Sequence, residues 1–70
     1  MKVVIWPADH LPPHAHVLGA GWEVRVLLGA EAVYHTVAHG RPSNGQVREA
    51  VALVGKHLEV CNAKWREIHG

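Results

Sequence analysis

Seventy residues leave room for one domain around one small core, which excludes a multidomain enzyme. An apolar fraction of 49% against 19% charged residues is a globular composition and excludes an intrinsically disordered chain. The net charge of +1 contains no basic run and so lends nucleic-acid binding little support, while seven histidines make any electrostatic partnership sensitive to pH near neutrality.

In chain order, Lys2 to Trp6 reads as a strand, too short and with too brief an apolar run for a signal segment or a membrane span. No membrane association is expected. Asp9-His10-Leu11-Pro12-Pro13 follows as a stiff extended loop, because each proline drives its predecessor out of the helical region. His14 to Leu18 is a short strand, Gly19-Ala20-Gly21 a turn, and Trp22 to Leu28 alternates apolar Trp22, Val24, Val26 and Leu28 with Glu23 and Arg25. This is a hairpin. With Gly19-Ala20 at the centre of a type II′ turn, Val17 faces Trp22 and Ala15 faces Val24 on an apolar side. His16 then faces Glu23, and His14 faces Arg25, on a polar side. A three-residue turn would bury both histidines beside Trp22 and Val24 without partners, so the first register is preferred. After a turn at Gly29-Ala30, Glu31 to Ala38 is a weaker strand whose two faces are not cleanly separated.

The clearest element is a C-terminal helix. Ser43 and Gln46 suit a capping box, so the helix should begin just after Ser43. Val47, Val51, Val54, Leu58, Cys61, Trp65 and Ile68 alternate spacings of four and three, which puts them on one stripe. Lys56 with Glu59 and Lys64 with Glu67 are ordinary surface pairs. A single helix from Asn44 to His69 would run about 39 Å at 1.5 Å per residue, whereas a seven-residue strand covers only about 23 Å. The helix is therefore expected to outrun its sheet and leave Cys61, Trp65 and Ile68 uncovered, inviting a protein partner or a second copy of the chain at this C-terminal helix. A lone cysteine forms no internal disulfide and fits a reducing cytoplasm; on an apolar stripe its thiol is expected to be inert. The expected fold is α+β, one domain over residues 1–70: a small antiparallel sheet of three or four strands packed against one long C-terminal helix.

The densest chemistry is Asp9-His10-Leu11-Pro12-Pro13-His14-Ala15-His16, with three imidazoles and a carboxylate in eight residues. This stretch resembles a family of short bacterial proteins whose signature is Asp-His-x-Pro-Pro-His-x-His-Val near the N-terminus and Trp-x-x-x-His-Gly at the C-terminus. Here these are Asp9, His10, Pro12, Pro13, His14, His16 and Val17, and Trp65, His69 and Gly70. Between them lies the Gly-Trp-Glu-Val-Arg-Val strand that the family also carries. The shorter segment before Asp9, with its Pro7, and the stretch from Gly29 to Pro42 depart from the pattern. The resemblance implies one component of a toxin–antitoxin or regulatory pair, encoded beside another short protein.

Two chemistries compete for the histidines. His14 and His16 at i,i+2 point to one side of a strand, and His10 or Asp9 from the loop would complete a three-ligand set for Zn or a similar divalent ion. The plainer alternative is that the rings bond backbone groups left unpaired by Pro12 and Pro13. Acid–base cleavage of a phosphodiester would use His14, His16 and Arg25, with Glu23 tuning a histidine, against the alternative of a solvated polar sheet face. Arg41 and Arg48 beside the capped helix start make a weaker anion site. His69 is placed to cap the helix C-terminus, and Trp65 to serve as core or interface. The functional expectation is a small cytoplasmic bacterial interaction module of a toxin–antitoxin-like pair, binding through Asp9, His10, Glu23 and Trp65. The alternative is a small ribonuclease or metal-dependent hydrolase. With the polar face taken as exposed, Gln at His14 and His16 should barely change stability.

Overall fold

The computed structural model describes residues 1–70. Four strands, β1 (Lys2–Val4), β2 (His14–Gly19), β3 (Trp22–Leu27) and β4 (Val33–His39), form one antiparallel sheet in the order β1-β2-β3-β4. Two helices follow, α1 (Asn44–Lys56) and α2 (Leu58–His69). The architecture is α+β with four strands.

The central hairpin keeps the expected faces but shifts its pairing. Gly19 pairs with Trp22 and Val17 with Val24, so Ala20-Gly21, not Gly19-Ala20, occupy the turn. Gly21 takes φ +80°, a left-handed conformation open to glycine at little cost. Opposite Gly19 the Trp22 indole lies where a Cβ would stand, which supplies a packing reason for this register. Because the displacement is two residues along the ladder, the side-chain alternation is unchanged. Ala15, Val17, Val24 and Val26 are fully buried against Ala50 and Val54 of α1.

β4 pairs Glu23 with His39, Val24 with Val37, Arg25 with Thr36 and Val26 with Tyr34. The ladder slips by one residue twice, leaving Ala38 and His35 as extra residues. Each slip reverses the alternation, which is why the sequence of this strand shows no clean two-sided pattern.

The single long helix is corrected to two. α1 starts with the expected capping box: Ser43 Oγ accepts from the Gln46 amide at 3.1 Å, and Gln46 Oε1 accepts from the Ser43 amide at 2.8 Å. It ends at His57, with φ −115° and ψ 28°, whose amide bonds the Val54 carbonyl at 3.1 Å in a tightened last turn. Gly55 in that turn weakens the helix by about 1 kcal/mol relative to alanine. A straight helix of about 39 Å would exceed the molecule's longest extent of 33 Å. The bend instead returns Cys61 and Trp65 to the core, both buried within their own chain. The expectation that these two residues would lie uncovered is therefore corrected, while Ile68 is half-buried. Of the two expected surface pairs only Lys64 with Glu67 forms, with Nζ 3.7 Å from Oε1 on an open surface, a pair of little energetic weight. Neither helix is long and apolar enough to cross a membrane.

Candidate functional site

The site begins with a local turn. Pro7 occupies the second position of Trp6-Pro7-Ala8-Asp9, where its fixed φ favours a β-turn. The Asp9 amide donates to the Trp6 carbonyl at 3.1 Å, and the Trp6 amide donates to Asp9 Oδ2 at 2.9 Å. This reciprocal clasp leaves Asp9 Oδ1 facing two histidines of β2. His16 Nε2 lies 2.9 Å from it and His14 Nε2 3.6 Å.

The far nitrogen of each ring is also held. His14 Nδ1 donates to the Pro12 carbonyl at 2.9 Å, following the cis Leu11-Pro12 peptide. His16 Nδ1 donates to Glu23 Oε2 at 2.7 Å. Glu23 sits opposite Leu18 in the ladder, so this bond runs along the diagonal between β2 and β3. The two histidine rings meet edge to face with centroids 5.0 Å apart.

His16 is only 4% exposed, which corrects the view of this side of the sheet as an open polar face. The Asp9 loop covers it. The short carboxylate contacts at both nitrogens of His16 become hydrogen bonds together only if the ring carries both protons. Burial pushes the Asp9 carboxyl up, but the His16 hydrogen bond, the Trp6 amide and the charge on His16 and His14 outweigh it, leaving Asp9 below its ordinary value of 3.8. Burial alone pushes the Cys61 thiol up, in keeping with an inert core cysteine.

Around this centre, Trp65 packs its ring 5.6 Å from that of His14 and stacks on His69 at 3.9 Å. The last turn of α2 thus forms one wall. His69 packs on Trp65 rather than capping the carbonyls, and the Gly70 amide bonds the Arg66 carbonyl at 2.8 Å. On the other side an open hollow of about 240 Å³ is lined by Asp9, His10, His14, Arg25 and His35, among others. Arg25 is exposed and opposes His16 in the ladder, not His14. His10 stands exposed at the mouth of the hollow; Asp9, His14 and His16 are the group whose ligand atoms lie within 4.8 Å of one another. Of the two loop residues weighed as a third ligand, Asp9 is the one brought in.

The His14 bond to the Pro12 carbonyl is the kind of backbone contact weighed as the plainer alternative for these rings. Sequence reasoning missed two contributors, His35, which reaches the hollow from a bulge position that alternation does not reveal, and Trp6, which anchors Asp9. Trp6 was legible in principle, because Trp-Pro-x-Asp is a turn pattern with an aspartate placed to accept the first amide.

Two apolar surfaces stay open. The outer edge of β4 pairs with no strand, and Val33, Tyr34 and Val37 on it are exposed. A groove of about 480 Å³ between β1 and α2 is lined by Val3, Ile5, Val60 and Cys61 and rimmed by Lys2 and Lys64. Compared with protein-family models, curated proteins and solved structures, the chain matches none.

Proposed function

We propose that this chain is the interaction module of a two-protein bacterial pair of the toxin–antitoxin type, acting in the cytoplasm. The observation that carries the reading is the free edge of β4. Seven residues, Val-Tyr-His-Thr-Val-Ala-His, contain no proline and no lysine, arginine or carboxylate. Monomeric proteins normally blunt a strand of this length with such residues or with bulges, because an open row of amides and carbonyls recruits another chain; of these devices β4 carries only its two bulges. Strand addition at β4 supplies main-chain hydrogen bonds, while the exposed Val33 and Tyr34 supply apolar anchors. The partner is the product of the neighbouring short gene that the sequence resemblance implies. A homodimer or a partner seated on the C-terminal helix would use the β1–α2 groove, with Val60 68% exposed beside it. Co-expression of the two chains should yield a stable complex in which hydrogen exchange slows at the β4 amides. Tyr34→Lys should abolish it without changing the circular dichroism of the free chain. Protection confined to α2, or no complex, overturns the assignment to β4.

A second reading, a small ribonuclease or metal-dependent hydrolase, is favoured by the shared hollow of His14, Arg25, His10 and His35. There Arg25 would hold a phosphodiester and His14 would transfer a proton. Purified chain that cleaves RNA, with activity lost in Arg25→Ala, would support it; intact RNA under all conditions, divalent ions included, would exclude ribonuclease action.

A further inference from the structure

We propose that Asp9 Oδ1, His14 Nε2 and His16 Nε2 form a binding site for one divalent first-row transition cation, with Zn²⁺ as the probe. The three ligand atoms converge within 4.8 Å of one another. Bonds of about 2.0–2.1 Å to a tetrahedral ion place neighbouring ligand atoms about 3.3–3.4 Å apart. The observed separations from Asp9 Oδ1, 2.9 Å to His16 and 3.6 Å to His14, lie on either side of that spacing, and with all three atoms inside 4.8 Å the two imidazoles would close together by up to about 1.4 Å to seat an ion.

Orientation is the stronger ground. Each ligand has its second polar atom committed elsewhere: His14 Nδ1 to the Pro12 carbonyl, His16 Nδ1 to Glu23, and Asp9 Oδ2 to the Trp6 amide. Such outer contacts fix the ring tautomer and direct the free nitrogen at a metal. Imidazolium rings at His14 and His16 would account for the same contacts without an ion, so the converging orientation of the three ligand atoms is what carries the proposal.

Two imidazoles and one carboxylate suit borderline ions such as Zn²⁺ or Fe²⁺ and disfavour Ca²⁺ or Mg²⁺, which prefer all-oxygen sets. Three protein ligands leave at least one position for water or a substrate atom, as in catalytic rather than structural zinc sites. The inference belongs to the metal-dependent form of the hydrolytic reading, in which His14 holds the ion and does not transfer a proton, and it stands without that reading, because its test reads ion binding and not turnover.

Chelator-treated wild-type chain is titrated with Zn²⁺ while the side-chain nitrogens of all seven histidines are followed by long-range proton–nitrogen NMR. The Nε2 signals of His14 and His16 should move together and saturate at one equivalent, with His35, His39 and His57 unmoved. Asp9→Asn should weaken binding by more than 10-fold, and Glu23→Gln by about 10-fold or more through the loss of outer-shell charge. His39→Gln should leave the affinity unchanged. Saturation led by His10 or His35, movement of His16 alone, or no response at one equivalent would overturn the proposal in the wild-type chain itself, whatever the folding of the variants.

Discussion

His16 lies buried between two carboxylates, and its removal would leave Asp9 and Glu23, 10% and 24% exposed, without their donor. Breaking a buried ionic group by deleting one member costs more than the intact group contributes, because the remaining charges stay desolvated. His16→Gln should therefore lower stability by about 2–4 kcal/mol in urea unfolding. That reverses the expectation drawn from an exposed polar face, and His14→Gln, at the rim, should cost distinctly less. Asp9 supplies the pH dependence. Its folded pKa lies below its ordinary 3.8, so its stabilisation is complete well above pH 3.8 and is lost as pH falls through the depressed folded value. Acid titration of the tryptophan near-UV circular dichroism should show a fall in stability below pH 3.8 that is shallower in Asp9→Asn.

At the level of elements, the turns and the helix break make opposite predictions for glycine. Gly40 has φ +75°, and a Cβ there would run into the Gly21 carbonyl and stand 2.8 Å from Trp22 Cα. Gly40→Ala should lower stability by about 2 kcal/mol or more, from left-handed strain and backbone crowding together, read as a drop in Tm. Gly55 sits in a helical turn, and an added methyl would meet Ala32 Cβ at 3.7 Å, an ordinary contact. Gly55→Ala should raise stability by about 0.5–1 kcal/mol, since alanine restricts the unfolded chain and favours the helix. A loss at Gly55 would mean that the bend at His57 depends on glycine itself and not on the packing of α2.

For the whole molecule, the bend matters most. Trp65 is 7% exposed between His14 and His69, so its ring joins the last turn of α2 to the start of β2. Trp65→Ala should cost about 3–5 kcal/mol. The sedimentation coefficient of the folded chain should stay the same, because this ring contacts its own chain and is not an open docking face. A fall in mass would show that α2 also contacts a second copy.

The capping box at Ser43, the apolar alternation of β2 and β3 and the proline-stiffened histidine loop were legible in the sequence because each rests on neighbours within a few residues. The closeness of Asp9 to His14 and His16 was partly legible, through eight residues of continuous chain. What only the tertiary structure decided depends on distant surfaces. The heptad-like stripe from Val47 to Ile68 is compatible with a straight or a bent helix, since spacing records which side is apolar and not how far the sheet beneath extends. The two bulges of β4 are set by pairing with β3, and no local pattern announces them. The choice of Asp9 over His10 as the inward residue follows from the Trp6–Asp9 clasp, which turns one side chain toward β2 and leaves its neighbour exposed. Burial of His16 follows in turn, because the same loop that presents Asp9 also closes over the ring.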